Sequence, residues 1–175
     1  MQTNNLKIKI LDEESSSQLN KFKSEDTNLN IFLRRKARKH QDELLATTYL
    51  LYLGDEIIGY FTLSGDTMPV TDIEKEKFHK GKQYKSYPAI KIGRFAMSSN
   101  YAKDGYGSWL ISAIKFKFAN ERQAIGCRYL LVDAYKNVLR FYEKNDFLPW
   151  QKENIFDDSD TILLYYDLMR SKKTK

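Results

Sequence analysis

The sequence predicts an α/β fold in which helices flank a mixed, mostly antiparallel sheet. Two early apolar runs, residues 47–53 and 56–64, are separated only by Gly54-Asp55, a pair that favours a β-hairpin. Later in the chain, strand-like and helix-like segments alternate, which is typical of crossover connections. With 175 residues and 42% hydrophobic residues, the chain is long enough for one core, so we predict a single domain over residues 1–175.

The elements follow in chain order from their residue patterns. Apolar, β-branched and aromatic runs predict strands at residues 6–11, 47–53, 56–64, 88–97, 127–134 and 161–168. Apolar residues at helical spacing predict helices at residues 28–45, 108–126 and 137–145. The polar stretch 71–86 is predicted to be an insertion or lid.

The net charge of +6 is unevenly distributed, because RRKARKH, residues 34–40, carries five Lys or Arg residues. Asp26, Thr27 or Asn28 can cap the helix that contains this run. Clustered cations gain affinity for phosphates by releasing counterions, so the helix is either a solvated basic face or a surface for a polyanion. The candidate nucleic-acid contacts on it are Arg34, Arg35, Arg38 and Lys39.

Composition also sets aside several classes of function. The polar start MQTNN is not followed by the apolar h-region of a signal peptide, and no apolar run approaches the ~20 residues of a membrane span, so we expect a soluble, cytoplasmic protein. Cys127 begins an apolar strand and is expected to be a small buried side chain rather than a nucleophile. His40 and His79 lack the spacing of metal ligands, so no metal site is expected.

The stretch YAKDGYGSWL, residues 101–110, joins the strand that starts at Pro88 to the following helix. Gly105 and Gly107 permit positive φ and close approach of a ligand, and the N–H groups of a helix's first turn attract anions. The turn is therefore either a phosphate site or a tight turn without a ligand.

Together with RFYEKNDF, residues 140–147, this turn resembles the GNAT family of acyl-CoA-dependent N-acetyltransferases. The family fingerprint is Arg/Gln-x-x-Gly-x-Gly/Ala in the turn and a form of YEKxGF on a later helix. The resemblance covers almost the whole chain and implies the GNAT fold, acetyl-CoA as cofactor, and Tyr142 as the general acid toward the leaving sulfur. It implies that backbone groups of the strand end and the turn hold CoA, which gives the cofactor set Phe95, Ala96, Met97, Ala102, Lys103, Asp104, Gly105, Tyr106, Gly107 and Ser108. It also assigns Asn137, at the start of the later helix, to CoA.

Two positions depart from the family pattern. Ala102 stands where Arg or Gln is usual, which removes a side chain but not the backbone amides. Asp146 stands where Gly is usual, and Asp tolerates the left-handed conformation of a helix end better than most residues.

A finer resemblance is to the GNAT toxins of bacterial toxin–antitoxin pairs. SEDTNLNIFLRRKARKH and IGRFAM resemble their "xxxLNxWLxxxAxxxQ" helix and "LGRLAV" strand. Those enzymes acetylate the α-amino group of an aminoacyl-tRNA. The resemblance therefore implies aminoacyl-tRNA as acceptor, a ribbon-helix-helix antitoxin and a homodimer as partners, and Arg94 as a further nucleic-acid contact.

The residues of IGRFAM bear on the acceptor. This strand carries no carboxylate base, which suits an α-amino group of pKa near ~8 better than an alkylamine near ~10.4. Two alternatives stay open: a GNAT enzyme for a small amine or a protein N-terminus, and a non-catalytic CoA- or nucleic-acid-binding module.

Overall fold

The computed structural model describes residues 5–69, 85–120, 126–150 and 159–172. Three short 3₁₀ turns lie at Glu14–Ser17, Leu19–Lys21 and Lys136–Val138. The helices and strands in chain order are β1 (Leu6–Ile10), α1 (Thr27–Arg35), α2 (Ala37–Asp42), β2 (Thr47–Leu53), β3 (Glu56–Pro69), β4 (Ser86–Met97), α3 (Tyr106–Asn120), β5 (Tyr129–Tyr135), α4 (Leu139–Lys144), β6 (Leu148–Pro149), β7 (Thr161–Asp167) and α5 (Met169–Lys172).

The seven strands form one sheet in the order β1-β2-β3-β4-β5-β7-β6. The pairs β1–β2, β2–β3, β5–β7 and β6–β7 are antiparallel. Leu53 pairs with Glu56 across Gly54-Asp55, so the predicted hairpin is confirmed. The predicted α/β class with a mixed sheet and flanking helices is also confirmed.

Chain contacts divide the protein into two compact units. The first comprises Met1–Ser64 and Ile92–Ala113, and the second comprises Gly65–Lys91 and Ile114–Lys175. The assignment of the whole chain to a single domain stays a prediction.

In the first unit, α1 and α2 bury their apolar residues among those of β2 and β3. Asp26 caps α1, since its carboxylate accepts hydrogen bonds from the N–H groups of Asn28 and Leu29. The core of this unit consists of Leu11, Leu19, Phe22, Phe32, Leu33, Ala37, Leu50, Tyr52, Ile57, Tyr60 and Ala96.

The single helix predicted for residues 28–45 is in fact two helices. Lys36, between α1 and α2, has φ −120° and ψ −30°, and the second helix ends at Asp42. Like charges four residues apart disfavour a continuous helix here, because Arg34 would stack on Arg38 and Arg35 on Lys39.

In the second unit, β5 and β7 pair along their whole length, from Tyr129 with Asp167 to Tyr135 with Thr161. Met68, Ala89, Tyr129 and Leu131 form its buried apolar cluster. Between Asp66 and Asp133, the ammonium group of Lys91 lies 3.7 Å from the first carboxylate and 2.6 Å from the second.

Several predicted boundaries are moved. β3 continues to Pro69, five residues beyond its predicted end, and α3 begins two residues early at Tyr106. Gly126 is not helical, and residues 121–125 of the predicted helix lie outside the described residues. Most of the predicted lid, residues 71–84, also lies outside them. Within the described ranges, no helix combines the length and the hydropathy that crossing a bilayer requires.

Candidate active site

The turn after β4 is closed by backbone hydrogen bonds of the first unit. The N–H of Ser98 donates to the carbonyl of Ile58 over 2.8 Å, and the N–H of Tyr101 donates to the carbonyl of Ser98 over 2.9 Å. Gly105 has φ +85°, a left-handed conformation that a residue with a Cβ adopts only at a cost. Its carbonyl accepts from the N–H of Trp109 over 3.0 Å, which starts α3.

This start of α3 fits an anion such as a pyrophosphate. In a fifteen-residue helix beginning at Tyr106, the N–H groups of Tyr106 and Gly107 have no carbonyl one turn earlier in the helix. The side chain of Tyr106 is buried and Gly107 has none, so these residues would contact the anion through their backbone N–H groups. The side chains of Ala102, Lys103, Asp104 and Ser108 are exposed around it.

A side-chain hydrogen bond fastens the beginning of the turn. The hydroxyl of Tyr101 donates to Oε2 of Glu56 over 2.8 Å, and this bond to a carboxylate raises the pKa of Tyr101. The rings of Tyr101 and Tyr106 pack edge to face with centroids 5.9 Å apart. The turn is therefore held to the first residue of β3.

The end of β4, where Phe95, Ala96 and Met97 were predicted to pair with the pantetheine arm, packs closely on β3. A Cβ at Gly59 would lie 2.7 Å from Sδ of Met97 and 3.2 Å from the carbonyl oxygen of Ala96. Ala96 is buried, while the other two residues are partly exposed. A glycine at position 59 thus lets the two strands approach at the residues assigned to CoA.

Arg94 lies on an irregular step of β4, where it and Gly93 are both exposed. The N–H of Arg94 donates to the hydroxyl of buried Thr62 over 2.9 Å. Its guanidinium carbon lies 5.2 Å from the centre of the Phe32 ring, so the cation rests against α1. The structure therefore brings Arg94 next to the helix that carries Arg34 and Arg35.

The predicted basic residues of α1 and α2 differ in their partners. Arg34 donates to the carbonyl of Phe22 over 2.6 Å. Arg38 pairs with Asp42 at 2.9 Å and with Glu13 at 3.5 Å, and Lys39 pairs with Glu43 at 3.7 Å. Within the described part of the chain, Arg35 has no carboxylate at ion-pair distance. Neither has Lys36, a cation at the break between the helices that the sequence patterns did not single out.

The residues that carry the toxin-like pattern are structural. The side chain of Asn30 bonds to the backbone N–H and carbonyl of Ser24, and the carbonyl of Leu29 accepts from the hydroxyl of buried Tyr60 over 2.8 Å. The amide of Gln41 donates to the carbonyl of Leu11 and accepts from the N–H of Thr48. Phe32, Leu33 and Ala37 are buried. The basic residues occupy the unspecified positions of that pattern.

Tyr142 lies in α4 of the second unit and is 5% exposed. Its ring packs edge to face on those of Phe141 and Phe147, at 5.0 and 5.6 Å between centroids. Burial raises the pKa of Tyr142 above its usual value, so the hydroxyl keeps its proton at neutral pH.

The turn that follows Tyr142 takes the conformation that the family pattern assigns to glycine. Asp146 has φ +59°, and its N–H donates to the carbonyl of Glu143 over 2.9 Å. The N–H of Phe147 donates to the carbonyl of Tyr142 over 3.0 Å. Asp therefore serves at this left-handed position, as the sequence predicts.

Two residues remain: Asn137, and Cys127, which was expected to be buried and unreactive and is partly exposed. Asn137, assigned to CoA by resemblance, is exposed in the 3₁₀ turn Lys136–Val138 of the second unit. Burial raises the pKa of the Cys127 thiol to about 11, so this group is protonated at neutral pH. Among the described residues, no cluster of His, Cys, Asp and Glu could hold a metal ion.

Comparison with known proteins decides the family. The sequence profile of the "Acetyltransferase (GNAT) family" matches residues 9–147. The chain belongs to the GNAT family. It is an acetyl-CoA-dependent N-acetyltransferase, and acetyl-CoA is its cofactor. No curated protein sequence matches it.

Solved structures with the same fold include GNAT toxins of toxin–antitoxin systems. A tyrosine mutant of KacT has a TM-score of 0.80 at 22% identity, over 98% of this chain and 100% of KacT. A tyrosine mutant of the toxin AtaT, bound to the C-terminus of the antitoxin AtaR and to acetyl-CoA, has a TM-score of 0.72 at 22% identity, over 97% of both chains. AtaT complexed with acetyl-methionyl-tRNAfMet has a TM-score of 0.76 at 21% identity, over 96% of this chain and 98% of AtaT.

Proposed function

We propose that this GNAT acetyltransferase acetylates the α-amino group of an aminoacyl-tRNA. The observation that carries the proposal is the surface of α1 and α2. The residues that dock these helices are buried or hydrogen-bonded inward, whereas Arg35, Lys36 and their basic neighbours are left outside. A row of exposed cations on a rigidly docked element suits a phosphate backbone.

The composition of β4 supports an acceptor of low pKa. Its twelve residues, SYPAIKIGRFAM, contain no Asp or Glu that could act as a base. An α-amino group with a pKa near ~8 is partly neutral at physiological pH, whereas a lysine side chain near ~10.4 is not. The enzyme then needs no carboxylate on this strand to deprotonate its acceptor.

In this proposal the backbone binds acetyl-CoA and a tyrosine supplies the acid. Acetyl-CoA supplies an activated acetyl thioester. The first-turn N–H groups of Tyr106 and Gly107 bind its pyrophosphate, and a backbone N–H within Phe95–Met97 stabilises the negative charge on the acetyl oxygen. As the amine nitrogen forms its bond to the carbonyl carbon and the C–S bond breaks, the hydroxyl of Tyr142 gives its proton to the sulfur. The proton lost by the nitrogen restores that hydroxyl through solvent.

The partners follow from the same proposal. AtaT has been solved with an acetylated aminoacyl-tRNA and with the C-terminus of its antitoxin. We therefore propose a toxin that inhibits translation in the cytoplasm and forms a homodimer neutralised by a ribbon-helix-helix antitoxin. Light scattering of the purified protein tests the dimer, and a small ribbon-helix-helix protein in the adjacent reading frame supports the antitoxin.

Two charge-matched double variants test the acceptor. Arg35→Gln with Lys36→Gln removes cations that have no carboxylate at ion-pair distance among the described residues, and Arg38→Gln with Lys39→Gln removes cations that already face Asp42 and Glu43. With charged tRNA as acceptor, we expect kcat/KM of the first variant to fall about tenfold. The slope of log kcat/KM against log salt concentration should become shallower by the amount that about one to two phosphate contacts contribute. The second variant should lose less.

Binding of CoA, measured by calorimetry, should be the same in both variants and in the parent. Equal activity of the parent and the first variant on charged tRNA, at low and at physiological salt, would contradict a role for this surface. Salt-insensitive turnover of small amines or peptide N-termini, without turnover of charged tRNA, would establish the small-amine or N-terminal alternative instead.

Tyr142→Phe tests the general acid. Because only a hydroxyl is removed from a buried ring, CoA affinity and thermal stability should stay close to those of the parent. We expect kcat to fall by roughly 10²- to 10⁴-fold, the range of general acid–base residues. A decrease of less than about threefold would leave Tyr142 as a packing residue only.

A further inference from the structure

Lys115 is a buried lysine that the proposed chemistry does not use. It lies on α3 in the second unit and is 8% exposed, although lysine is among the residue types that are almost never fully buried unless they are paired. It occupies a stripe that is otherwise apolar, with Ile111 and Ala119 four residues to either side. In the sequence, Lys115 can be recognised as unusual by its position among the apolar residues of a helix stripe.

The ammonium group of Lys115 is directed at the turn after α4. It donates to the carbonyl of Asn145 and, over 3.2 Å, to Oδ2 of Asp146. It also lies 3.9 Å from the centre of the Tyr166 ring. A cation at this point offsets the partial negative charge of the carbonyls that end a helix.

The same turn is tied to the two residues at the centre of α4. The side-chain amide of Asn145 donates to the carbonyl of Phe141 over 2.8 Å, and the backbone N–H groups of Asn145 and Phe147 each donate to the carbonyl of Tyr142 over 3.0 Å. Lys115 contacts Asn145 and Asp146 and thereby holds the residues that bond back to Phe141 and Tyr142.

We propose that Lys115 is a positioning residue, which holds the turn Asn145–Asp146 and through it the backbone that orients the Tyr142 hydroxyl. The second step of this proposal rests on the proposed acid role of Tyr142. The structure also gives a reason for Asp rather than Gly at position 146, because glycine has no side-chain oxygen to accept from the lysine. Burial lowers the pKa of Lys115 below its usual value, and the hydrogen bond and charge of Asp146 partly offset this shift because they favour the charged form.

A double-mutant cycle separates positioning from general loss of structure. Lys115→Met removes the ammonium group and keeps an apolar stem, and the matched control is Lys117→Met, at an exposed position on the same helix. With charged tRNA as acceptor, we expect Lys115→Met to lower kcat about tenfold in the parent and less than about twofold in the Tyr142→Phe background. KM for acetyl-CoA should change less than about twofold. Equal losses of kcat in the two backgrounds would overturn the positioning role.

Amide hydrogen exchange gives a readout that does not depend on the acceptor. We expect exchange at the N–H of Phe147 to accelerate about tenfold in Lys115→Met and to stay unchanged in Lys117→Met. Unchanged exchange at Phe147 would overturn the hold of Lys115 on the turn. If Lys115→Met does not fold, Lys115→Gln, whose shorter side chain carries no charge, takes its place with the same expectations. If Tyr142→Phe retains the kcat of the parent, the proposed acid fails, while hydrogen exchange still decides whether Lys115 holds the turn.

Discussion

Two turns of this GNAT acetyltransferase depart from the family pattern, and they do so in different ways. In the turn before α3, the residue with φ +85° is still glycine, Gly105, and the departure is the exposed side chain of Ala102. In the turn after α4, the departure is the left-handed residue itself, Asp146, with φ +59°. A buried cation, Lys115, is bonded to that second turn.

This difference distinguishes a position where the backbone conformation limits the choice of residue from a position where only contact with a ligand does. A residue other than glycine at positive φ costs free energy whether or not a ligand is bound, so the fold has to supply a compensating contact. An exposed side chain that contacts only the ligand can be lost without affecting the fold. We therefore expect changes at Ala102 to act on CoA affinity alone and changes at Asp146 to act on stability.

Among changes in the two turns, the largest effect on CoA affinity is expected at Gly105, because this position needs a left-handed backbone and also precedes the N–H groups assigned to the ligand. A β-branched residue at φ +85° costs about 1–2 kcal/mol and shifts the N–H groups that follow, so Gly105→Val should raise the Kd for CoA about tenfold or more. Gly105→Asn is the control, because Asn tolerates the left-handed region and should lose less. Calorimetric titration with CoA measures both, and an unchanged Kd in a folded Gly105→Val protein would contradict the pyrophosphate assignment.

At position 146 the comparison predicts an order of stabilities. Asp146→Ala keeps a Cβ at φ +59° and loses the carboxylate that faces Lys115, so it should lower the free energy of unfolding by about 1–2 kcal/mol. Asp146→Gly loses the same ion pair but relieves the backbone, so it should lie close to the parent. Urea unfolding at neutral pH gives both values. A glycine variant that is less stable than the alanine variant would show that the backbone does not limit this position.

The features that could be predicted from the sequence are those that residues close together in the chain determine. β2 has its predicted bounds, Thr47–Leu53, because alternation and a two-residue turn specify a hairpin locally. The left-handed conformation of Asp146 follows from its place in RFYEKNDF. Lys115 could not be assigned to this turn, since its partners Asn145 and Asp146 lie 30 and 31 residues further along the chain.

The basic helix shows a second limit of the pattern. The residues that define the toxin-like motif, such as Asn30 and Gln41, are used inside the protein, where they bond to Ser24, Leu11 and Thr48. The break at Lys36 affects which of the basic residues between them face carboxylates. A count of charges in the sequence does not show these pairings. The structure therefore explains the motif residues by the docking of the helices, whereas the motif does not specify how charge is distributed on their surface.

Ala102→Arg should produce a smaller effect, and in the favourable direction. Residue 102 is exposed, and its neighbours Lys103 and Asp104 carry opposite charges, so an added guanidinium gives the turn a net positive side-chain charge. A solvated charge pair contributes up to about 1 kcal/mol, so the Kd for CoA should fall by no more than about fivefold. The gain should shrink as salt is added. Ala102→Gln, the uncharged family residue, is the control, and an equal gain in it would show that charge is not the cause.

The smallest effect is expected where the turn before α3 is fastened to β3 by the hydrogen bond from Tyr101 to Glu56. Both groups are solvated, so Tyr101→Phe should change the Kd for CoA by less than about twofold at neutral pH. The pH dependence is the sharper test. The pKa of Tyr101 is raised by its bond to the Glu56 carboxylate, so the protonated phenol is favoured in the folded state. Its contribution to stability is therefore complete below the ordinary tyrosine pKa of about 10 and is lost as the pH rises through the higher folded value.

Urea midpoints of the parent and of Tyr101→Phe, measured from pH 7 to pH 11, should therefore differ by a constant amount up to about pH 10 and converge above it. Glu56→Gln removes the negative charge and should abolish this convergence, because the phenol then has no carboxylate beside it. A difference between parent and Tyr101→Phe that grows with pH would mean that the phenolate form is the one stabilised. The Tyr101–Glu56 hydrogen bond would then not be what fastens the turn, and the position of Gly105 would depend on its other contacts, among them the backbone hydrogen bonds of Ser98 and Tyr101.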